Sequence, residues 1–424
     1  MRVLISAYAC EPGKGSEPAV GWHWVHQVAR FHEVWVITRA NNREAVESTL
    51  AKEPLPNTHW IYFDLPNWAR FWKRKQRGIH LYYYLWQVAI FFVARKLHKQ
   101  NSFDIIHHVT LGQYWVPSCL GLLPVPFIWG PVGGGESTPP AFWCDFSSRG
   151  KVYELFRSLA RSLGSLNPVL RISARRSRIA IATTEQTALR LKKLGAKLIE
   201  VHPQLAMTSR ERQYLASFPI RQSRPFRIIS IGRLIHWKAF HLSLRAFAKF
   251  QASYPDSEYW ILSSGPEEHH LKTLANELGV EKKVVFWGGF GTLKEVYASL
   301  EQCDVLVHPA LHEAFGNVCL EAMAAGRTVV CLDLAGPALQ VTEETGIKVP
   351  AETPEQVIRD MAEAFRRIAG DPTLRTRFGR AAQRRVEMDF SWDNKGEWMN
   401  RVYSLAKNGH ESINQTEVMP LAES

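Results

Sequence analysis

Short runs of apolar, β-branched or aromatic residues alternate with segments of helix length along the whole chain. Continuously apolar strands between helices are typical of parallel sheets that helices cover on both faces. The predicted strands of the first half are Val3–Tyr8, Val34–Thr38, Trp60–Phe63, Asp104–His108, Phe127–Trp129 and Ile179–Ala182. Those of the second half are Arg227–Ile231, Tyr259–Leu262, Val284–Trp287, Asp304–His308, Val329–Leu332 and Ile347–Val349. The pattern predicts an α/β protein with two successive doubly wound domains.

The boundary between the predicted domains falls in a polar, arginine-rich stretch around Thr208–Pro225, which we interpret as a linker. The chain has 424 residues, of which 46% are hydrophobic and 22% charged, values typical of a folded protein with two cores. Its six cysteines are scattered without a C-x-x-C pair, which argues against structural zinc and a thioredoxin-like redox site. The start M-R-V-L-I-S-A-Y is strand-like and lacks the layout of a signal peptide, so we expect a cytoplasmic protein.

Ligands of doubly wound sheets bind at the C-terminal ends of strands, and the clearest chemistry follows a strand of the second half. Glu313 lies in the loop after this strand, and Glu321 lies on the second turn of the helix that begins near Gly316. The free backbone N–H groups of Gly316, Asn317 and Val318 favour a phosphate or diphosphate. A carboxylate on each side would accept hydrogen bonds from sugar hydroxyls. Two solvated glutamates are the alternative, but the helix around Glu321 is apolar all round and predicts burial.

A second element supports the same site. The strand Arg227–Ile231 ends at Gly232, and Arg233 and Lys238 follow in the loop. Gly232 allows a close approach of the backbone, and the two cations would neutralise a diphosphate. Arginine and lysine are frequent on surfaces, so the two cations alone are weak evidence for a diphosphate site. Their position after the first strand of the domain that contains Glu313 makes the evidence stronger.

These residues resemble the motifs of glycosyltransferase family 4, retaining enzymes that use nucleoside diphosphate sugars and have the GT-B fold. The resemblance is carried by the Glu-x7-Glu and G-R-L-x-x-x-K elements, and the segments S-G-P-E-E and L-A-G-P of the second half also fit it. It implies two facing Rossmann-like domains with the active site in the cleft between them. It also implies that Glu313 is catalytic and binds the donor sugar, that Glu321 binds the ribose, and that Arg233 and Lys238 hold the diphosphate.

The resemblance assigns further residues of the first half to the acceptor-side domain. The glycine-rich loop after the first strand would bring Gly15 and Ser16 to a phosphate, although a plain turn into a helix is the alternative. Family enzymes often place an active-site histidine at the end of the strand D-I-I-H-H, and we predict that His108 is catalytic. A buried structural histidine is the alternative, and the choice between His107 and His108 stays open because the usual spacing is His-x-His. The run G-P-V-G-G-G-E, which contains Gly134, is predicted as a further cleft loop.

The sequence departs from the family pattern after Lys238, where many members have glycine and this chain has Ala239. We therefore expect the backbone at that position to avoid positive φ. The chain contains no Asp-x-Asp, so we expect no metal and no other cofactor, and Arg233, Lys238 and helix dipoles would offset the charge of the leaving diphosphate. Retention would follow from attack of the acceptor hydroxyl on the face that the nucleotide leaves; a covalent route through a carboxylate is the alternative.

The net charge of +12 is confined to the first half of the chain. Residues 1–203 carry 26 Lys+Arg and 13 Asp+Glu, whereas residues 204–424 carry 26 and 27. Much of the excess lies in Asn67–Gly78, where tryptophans are interleaved, and between Lys151 and Arg178, which suits an anionic membrane surface. The apolar stretch Ile79–Ala94 is short for a span and predicts a buried sheet-packing helix, with a membrane-dipping helix as the alternative. No signature of a nucleic-acid-binding fold is present, so nucleic acid is not an expected partner.

The sequence thus predicts a retaining glycosyltransferase that moves a sugar, expected to be a hexose, from a nucleoside diphosphate sugar to a glycan or lipid-linked acceptor. Surface polysaccharide or lipopolysaccharide assembly, in the cytoplasm or on the inner face of its membrane, is the expected setting. The predicted parts are an acceptor-side domain at 1–205, a donor-binding domain at 206–392, a helix crossing back at 393–407 and a loose tail at 408–424. The alternatives are a soluble transferase forming a small-molecule glycoside and a non-catalytic protein that binds sugar nucleotides.

Overall fold

The computed structural model describes residues 1–70, 78–221, 224–289 and 292–408. They form two compact units. Unit 1 comprises Met1–Gly135, Leu159–Leu205 and the chain from Trp392 onward, and unit 2 comprises Glu136–Ser158 and Ala206–Ser391. Each unit is built around its own parallel sheet, so the predicted fold class, α/β with two doubly wound domains, is confirmed. Four basic residues of the predicted membrane-binding stretch, Lys73, Arg74, Lys75 and Arg77, and the predicted tail after residue 408 lie outside the described residues.

The strands fall close to the positions that the apolar runs predict. In unit 1 they are β1 Arg2–Ser6, β2 Glu33–Thr38, β3 Thr58–Tyr62, β4 Ile105–His108, β5 Gly112–Gln113, β6 Phe127–Gly133, β7 Ser177–Ala182 and β8 Ile199–Val201. In unit 2 they are β9 Phe226–Ile231, β10 Ser257–Leu262, β11 Val284–Gly288, β12 Val305–His308, β13 Thr328–Leu332 and β14 Gly346–Val349.

Helices connect these strands. Those of the first half are α1 Glu17–Ala29, α2 Arg43–Leu50, α3 Asn67–Arg70, α4 Ile79–Asn101, α5 Ser148–Ser165, α6 Pro168–Arg176 and α7 Glu185–Leu194. Those of the second half are α8 Ser209–Ala216, α9 Phe240–Gln251, α10 Glu268–Glu277, α11 Leu293–Glu301, α12 Asn317–Ala324, α13 Ala335–Gln340, α14 Pro354–Gly370, α15 Pro372–Asp389 and α16 Trp392–Asn408.

Both sheets reverse their strand order at an equivalent point. Unit 1 has the order β3-β2-β1-β4-β6-β7-β8, with β5 beside β6, and unit 2 has the order β11-β10-β9-β12-β13-β14. The reversal falls between β1 and β4 in unit 1 and between β9 and β12 in unit 2. Loops that leave the C-terminal ends of strands at such a point diverge and open a crevice for a ligand.

The segment Glu136–Ser158 belongs to unit 2, although the sequence-based boundaries counted it with the first domain. Phe142 and Phe146 of this segment lie in the hydrophobic core of unit 2, where they join Phe247 and Ile261. Burial of two large rings explains why the chain contributes this segment to unit 2 before it returns to unit 1. The C-terminal helix α16 belongs to unit 1.

The interpretation of Thr208–Pro225 as a linker was wrong for its first half, which forms helix α8. The Thr208 side chain accepts a hydrogen bond from the Glu211 N–H, and the Glu211 carboxylate accepts one from the Thr208 N–H (2.8 Å). This reciprocal capping box satisfies two of the unpaired donors at the helix start. The sequence T-S-R-E carries that signal, but the surrounding arginines obscured it.

Helix α4 contains the apolar stretch for which burial was predicted. Its inner face places Tyr82, Trp86 and Ile90 in the core of unit 1, whereas Leu81 and Phe92 are exposed. The prediction of a sheet-packing helix therefore holds for one face. Among the described residues, no helix combines the length and the hydropathy that crossing a bilayer requires.

Candidate functional site

Four loops meet at the C-terminal edge of the sheet in unit 2. They follow β9, β10, β12 and β13, and backbone hydrogen bonds join them. These bonds run from the N–H of Leu234 to the carbonyl of Ser264 (3.1 Å), from Leu311 to Trp237 (2.8 Å) and from Gly336 to Glu313 (2.9 Å). The predicted donor-side residues of unit 2 lie on or beside this frame.

Lys238 and Glu313 form a largely buried ion pair at the centre of these loops. The Lys238 ammonium donates to the Glu313 carboxylate, and the two side chains are 15% and 23% exposed. Burial alone would raise the pKa of Glu313, but the positive charge and the hydrogen bond of Lys238 outweigh it and hold the pKa below its usual value. Glu313 is therefore an ionised hydrogen-bond acceptor at neutral pH.

Gly232 brings the backbone close to this ion pair. Its φ of 144° lies in the region that favours glycine, and a Cβ built there would lie 3.8 Å from the Lys238 Nζ. Arg233, the next residue, is exposed, and its guanidinium has no hydrogen-bond partner within the described ranges. The loop after β9 thus presents one tethered and one solvent-facing cation.

The backbone at Ala239 contradicts the expectation that it would avoid positive φ. Ala239 follows the 3₁₀ turn His236–Lys238 and has φ 50° and ψ 35°, the left-handed region. A Cβ in this region costs about 1–2 kcal/mol. The following helix α9 buries Phe240 and Leu242, and this packing holds the alanine in a conformation that favours glycine.

The start of α12 lies beside the ion pair. Gly316 caps the helix with φ 82°, and no acceptor for the N–H groups of Gly316, Asn317 and Val318 occurs among the residues that the structure describes. A Cβ at Gly316 would lie 3.5 Å from the His308 Nε2 and 3.6 Å from the Glu313 Cγ. Free N–H groups, a carboxylate stem and an imidazole therefore surround one point.

His308, the last residue of β12, is a polar residue of this edge that the sequence analysis did not single out. Its side chain is fully buried, and neither ring nitrogen has a hydrogen-bond partner. Burial, with the nearby Lys238 charge, lowers its pKa to about 3, so the ring is neutral. Buried polar groups in native proteins are nearly always bonded, so an unpaired ring beside the Lys238–Glu313 pair is a candidate for contact with a ligand. Its place at the end of an apolar strand was the available signal.

Glu321 lies on the second turn of α12 and is half-buried. Burial, reinforced by the negative charge of Glu211, raises its pKa to about 7. No hydrogen bond or ion pair of its carboxylate occurs within the described part of the chain, so no protein group compensates its burial. Both of its oxygens are available to hydroxyl donors.

A second missed residue, Glu154, ties two of the loops together. Its Oε1 accepts hydrogen bonds from the Nε2 atoms of His236 (3.1 Å) and His312 (3.0 Å). Burial alone would raise its pKa, but these two histidines outweigh it and lower the pKa to about 2. His236 shares a turn with Lys238, and His312 precedes Glu313, so one carboxylate fixes both members of the ion pair. The sequence offered only a lone acid in a basic segment as a signal.

The two candidate histidines of unit 1 lie in its core with every ring nitrogen bonded. His107 bonds to the Tyr403 hydroxyl and the Gly130 carbonyl, both at 2.6 Å. His108 bonds to the Ser118 hydroxyl (2.9 Å), the Tyr83 hydroxyl (3.0 Å) and the Thr110 carbonyl (3.0 Å). Burial lowers their pKa values to about 3 and about 4. These are the contacts of structural histidines, and the catalytic role of His108 stays a prediction that they do not support.

The glycine-rich loop of unit 1 is exposed. Ser16 caps α1 with φ 59° and ψ −140°, an unusual conformation for a residue with a side chain, and a Cβ at Gly15 would meet no atom within 4 Å. Gly134 is needed for packing, because a Cβ there would lie 2.4 Å from the Trp115 ring. Phosphate binding by Gly15 and Ser16 and a cleft position for Gly134 stay predictions.

Residues 216–385 match the family model described as Glycosyl transferases group 1, and this range contains the loops of unit 2 from Gly232 to Glu321. The uncharacterized glycosyltransferase MJ1607 of Methanocaldococcus jannaschii is 34% identical over 182 residues, 42% of this chain and 45% of that protein. The lipopolysaccharide core biosynthesis glycosyltransferase LpsD of Rhizobium meliloti is 30% identical over 166 residues, 39% of this chain and 46% of that protein. The chain thus spans less than half the length of these curated relatives.

The fold of the whole chain is similar to that of solved glycosyltransferases. The structure of Anabaena HepE in complex with UDP and glucose has a TM-score of 0.57 at 15% identity, and the match covers 95% of this chain and 99% of that one. At this identity the likeness concerns the fold.

Proposed function

We propose that this chain is a retaining glycosyltransferase of family 4 that transfers a hexose from a nucleoside diphosphate sugar to a glycan or lipid-linked acceptor. The observation that carries the proposal is the open polar edge of unit 2, where a buried, unpartnered His308 lies beside the Lys238–Glu313 pair and the start of α12. The match of residues 216–385 to the glycosyltransferase model supports it. UDP and glucose in HepE make UDP-glucose the first donor to test.

The donor would bind through groups of opposite character. Arg233, Lys238 and the N–H groups at the start of α12 would hold the diphosphate, whose charge their positive charges and the helix dipole offset. The ionised Glu313 would accept hydrogen bonds from hydroxyls of the transferred sugar, and Glu321 from the ribose. His308, neutral and unpaired, would donate one of its ring N–H groups to the same ligand.

In the proposed reaction the acceptor hydroxyl attacks the anomeric carbon on the face that the nucleotide leaves. The new carbon–oxygen bond forms as the bond to the β-phosphate oxygen breaks, and the hydroxyl proton passes to the leaving phosphate. Donors that are already oriented toward the developing charge stabilise such a transition state most. The proposal includes no metal or other cofactor, because Arg233 and Lys238 supply the positive charge.

The basic first half favours an acceptor that carries its own phosphate, as a lipid-linked glycan does. LpsD, the relative from Rhizobium meliloti, is named for lipopolysaccharide core biosynthesis, which supports surface polysaccharide or lipopolysaccharide assembly as the setting. The proposed place of action is the inner face of the cytoplasmic membrane.

A comparison of two lysine variants tests the proposal. Wild type should be stabilised by sugar nucleotides of one base, by about 2.7 kcal/mol at 100 times the Kd. Lys238→Met should lower kcat with that donor by about 10²–10³-fold, the usual loss for a group that stabilises transition-state charge. The matched control is Lys348→Met, which removes a partly exposed ion pair with Asp333 (3.4 Å) and should keep full activity.

Two results would count against the proposal. In the first, a sugar nucleotide stabilises the protein but is neither transferred to a glycan or lipid-linked acceptor nor hydrolysed. That result would favour the non-catalytic protein that binds sugar nucleotides. Equal activity of Lys238→Met and Lys348→Met would show that the Lys238–Glu313 ion pair takes no part in the reaction.

A further inference from the structure

Helix α5 turns its apolar side to solvent, the reverse of an ordinary surface helix. Its exposed side chains are Val152 (51%), Leu155 (63%), Phe156 (65%), Leu159 (52%) and Leu163 (60%). With 3.6 residues per turn, these five positions fall within an arc of about 100° around the helix axis. The strip is continuous from the second turn of α5 to its last.

The opposite face of α5 is charged and buried, and each charge has protein partners. Glu154 accepts from His236 and His312, as described above. Arg157 donates to the Glu136 carbonyl (2.9 Å), and Arg161 donates to the Tyr114 hydroxyl (2.8 Å) and the Gly135 carbonyl (2.7 Å). Rotating the helix to bury its apolar strip would strand these charges without partners, which is costly. The outward orientation of the strip is therefore fixed by the packing.

Within residues 148–178, every exposed charged side chain is basic. Glu154 is the only acidic residue between positions 148 and 178, and it is buried. The exposed basic residues of this stretch are Arg149, Lys151, Arg171, Arg175, Arg176 and Arg178. On the helical projection Arg149 and Lys151 lie on the two sides of the apolar strip, about 160° apart.

We propose that α5 is an interfacial helix that docks the protein onto an anionic lipid surface. Phe156, Leu159 and their neighbours enter the boundary between headgroups and acyl chains, and Arg149 and Lys151 contact lipid phosphates. An apolar strip flanked by basic residues is the arrangement that binds such surfaces. A second copy of this chain would bring Arg149 and Lys151 against the same two cations, so the charge pattern favours lipid over self-association.

Vesicle binding by the full chain tests this proposal independently of the enzymatic one. Wild type should co-sediment with vesicles of phosphatidylglycerol and phosphatidylcholine at low salt. The double variant Phe156→Ser/Leu159→Ser should lower the partition coefficient at least tenfold. Its matched control, Leu189→Ser, alters a leucine of α7 that is 61% exposed and should bind as wild type does.

A second variant separates the electrostatic part and guards against misfolding. Arg149→Glu/Lys151→Glu alters two exposed residues and should weaken binding to anionic vesicles at least fivefold, with unchanged circular dichroism and thermal midpoint. Absence of wild-type binding at low salt would overturn the proposal. Equal binding by Phe156→Ser/Leu159→Ser and Leu189→Ser would also overturn it, since the contact would then lie elsewhere. A wild-type dimer in sedimentation that Phe156→Ser/Leu159→Ser disperses would show that the strip is an interface between copies.

Discussion

The two sheets carry nearly the same strand next to their central strand, and the two strands end differently. The sequence D-I-I-H-H leads through β4, and D-V-L-V-H leads through β12. Each sequence begins with an aspartate whose carboxylate bonds to the backbone of the neighbouring strand. Asp104 accepts from the Arg2 N–H and Asp304 from the Arg227 N–H, both at 2.8 Å, and these bonds set β4 beside β1 and β12 beside β9.

The histidines that close these strands have opposite surroundings. His108 has three hydrogen-bond partners in unit 1, whereas the buried ring of His308 in unit 2 has none. The partners of His108 come from other elements, including Tyr83 of α4. A histidine at a strand end thus marks a position at the sheet edge, and its hydrogen-bond partners distinguish a structural ring from one whose nitrogens are left unpaired.

The largest expected effect comes from replacing both histidines by alanine in parallel. Both variants lose a buried ring of the same size, but His108→Ala also leaves the Ser118 hydroxyl without its hydrogen-bond partner, whereas the Tyr83 hydroxyl still donates to the Thr110 and Leu111 carbonyls. We expect His108→Ala to lower the free energy of unfolding by about 1–3 kcal/mol more than His308→Ala does. Urea denaturation of the two variants measures this difference.

In donor binding we expect the reverse order, with the larger effect from His308→Ala. His308→Ala should weaken binding of the donor nucleotide about tenfold, as loss of a hydrogen bond to a charged group does. His108→Ala should keep the wild-type Kd at a temperature where it is folded. A loss of kcat in His108→Ala beyond its unfolded fraction would break this contrast and restore the predicted catalytic role of His108.

The pKa of Glu321, raised to about 7, predicts that donor binding at the loops of unit 2 depends on pH. Hydroxyl donors bind the carboxylate better than the acid, so donor affinity should rise about tenfold from pH 6 to pH 8. Glu321→Gln should remove this slope, whereas Glu295→Gln, which alters a capping residue of α11, should retain it. A slope that persists in Glu321→Gln would assign the titration to another group.

The same shift has a consequence for stability. Because the folded chain holds the proton of Glu321 more tightly than the unfolded chain does, ionisation opposes folding between pH 4.5 and about 7. Glu321→Gln should therefore be more stable than wild type at pH 8 by about 1 kcal/mol, a figure reduced for partial exposure of the side chain, and equal to it at pH 4. Thermal midpoints at the two pH values give the comparison.

The smallest expected effect concerns backbone strain beside Lys238. Ala239→Gly should raise the free energy of unfolding by about 0.5–1 kcal/mol, because glycine adopts the left-handed conformation without a Cβ clash. Ala248→Gly, inside helix α9, is the control of opposite sign and should lower it by about 1 kcal/mol. Destabilisation by Ala239→Gly would show that the strain is absent or that the methyl group contributes packing.

The strands could be predicted from sequence because their signal is local. The run Val305–Val307 is apolar, mostly β-branched and buried, and nothing distant has to be known to recognise it. Glu313 and Lys238 were predictable through spacing and resemblance. Their contact, across 75 residues of chain, follows from the topology that the strands define.

The missed features depend on distant partners. Glu154 is 82 residues from His236 and 158 from His312, so no window of sequence contains the cluster. His308 differs from a structural histidine only because its ring nitrogens have no hydrogen-bond partner. Ala239 has a conformation that local preference disfavours and that the packing of α9 imposes, which is a tertiary effect on backbone geometry.

The path of the chain through unit 2 has a consequence for dissecting the protein. Residues 136–158 provide Phe142 and Phe146 to its core and Glu154 to its loops, yet they precede the rest of that unit by nearly fifty residues. A fragment that begins at residue 206 would contain every donor-side residue of unit 2 that was inferred from sequence and still lack three of the side chains that hold them in place. A short N-terminal segment, supplied in trans or fused, would be required to rebuild a binding unit from the matched family region.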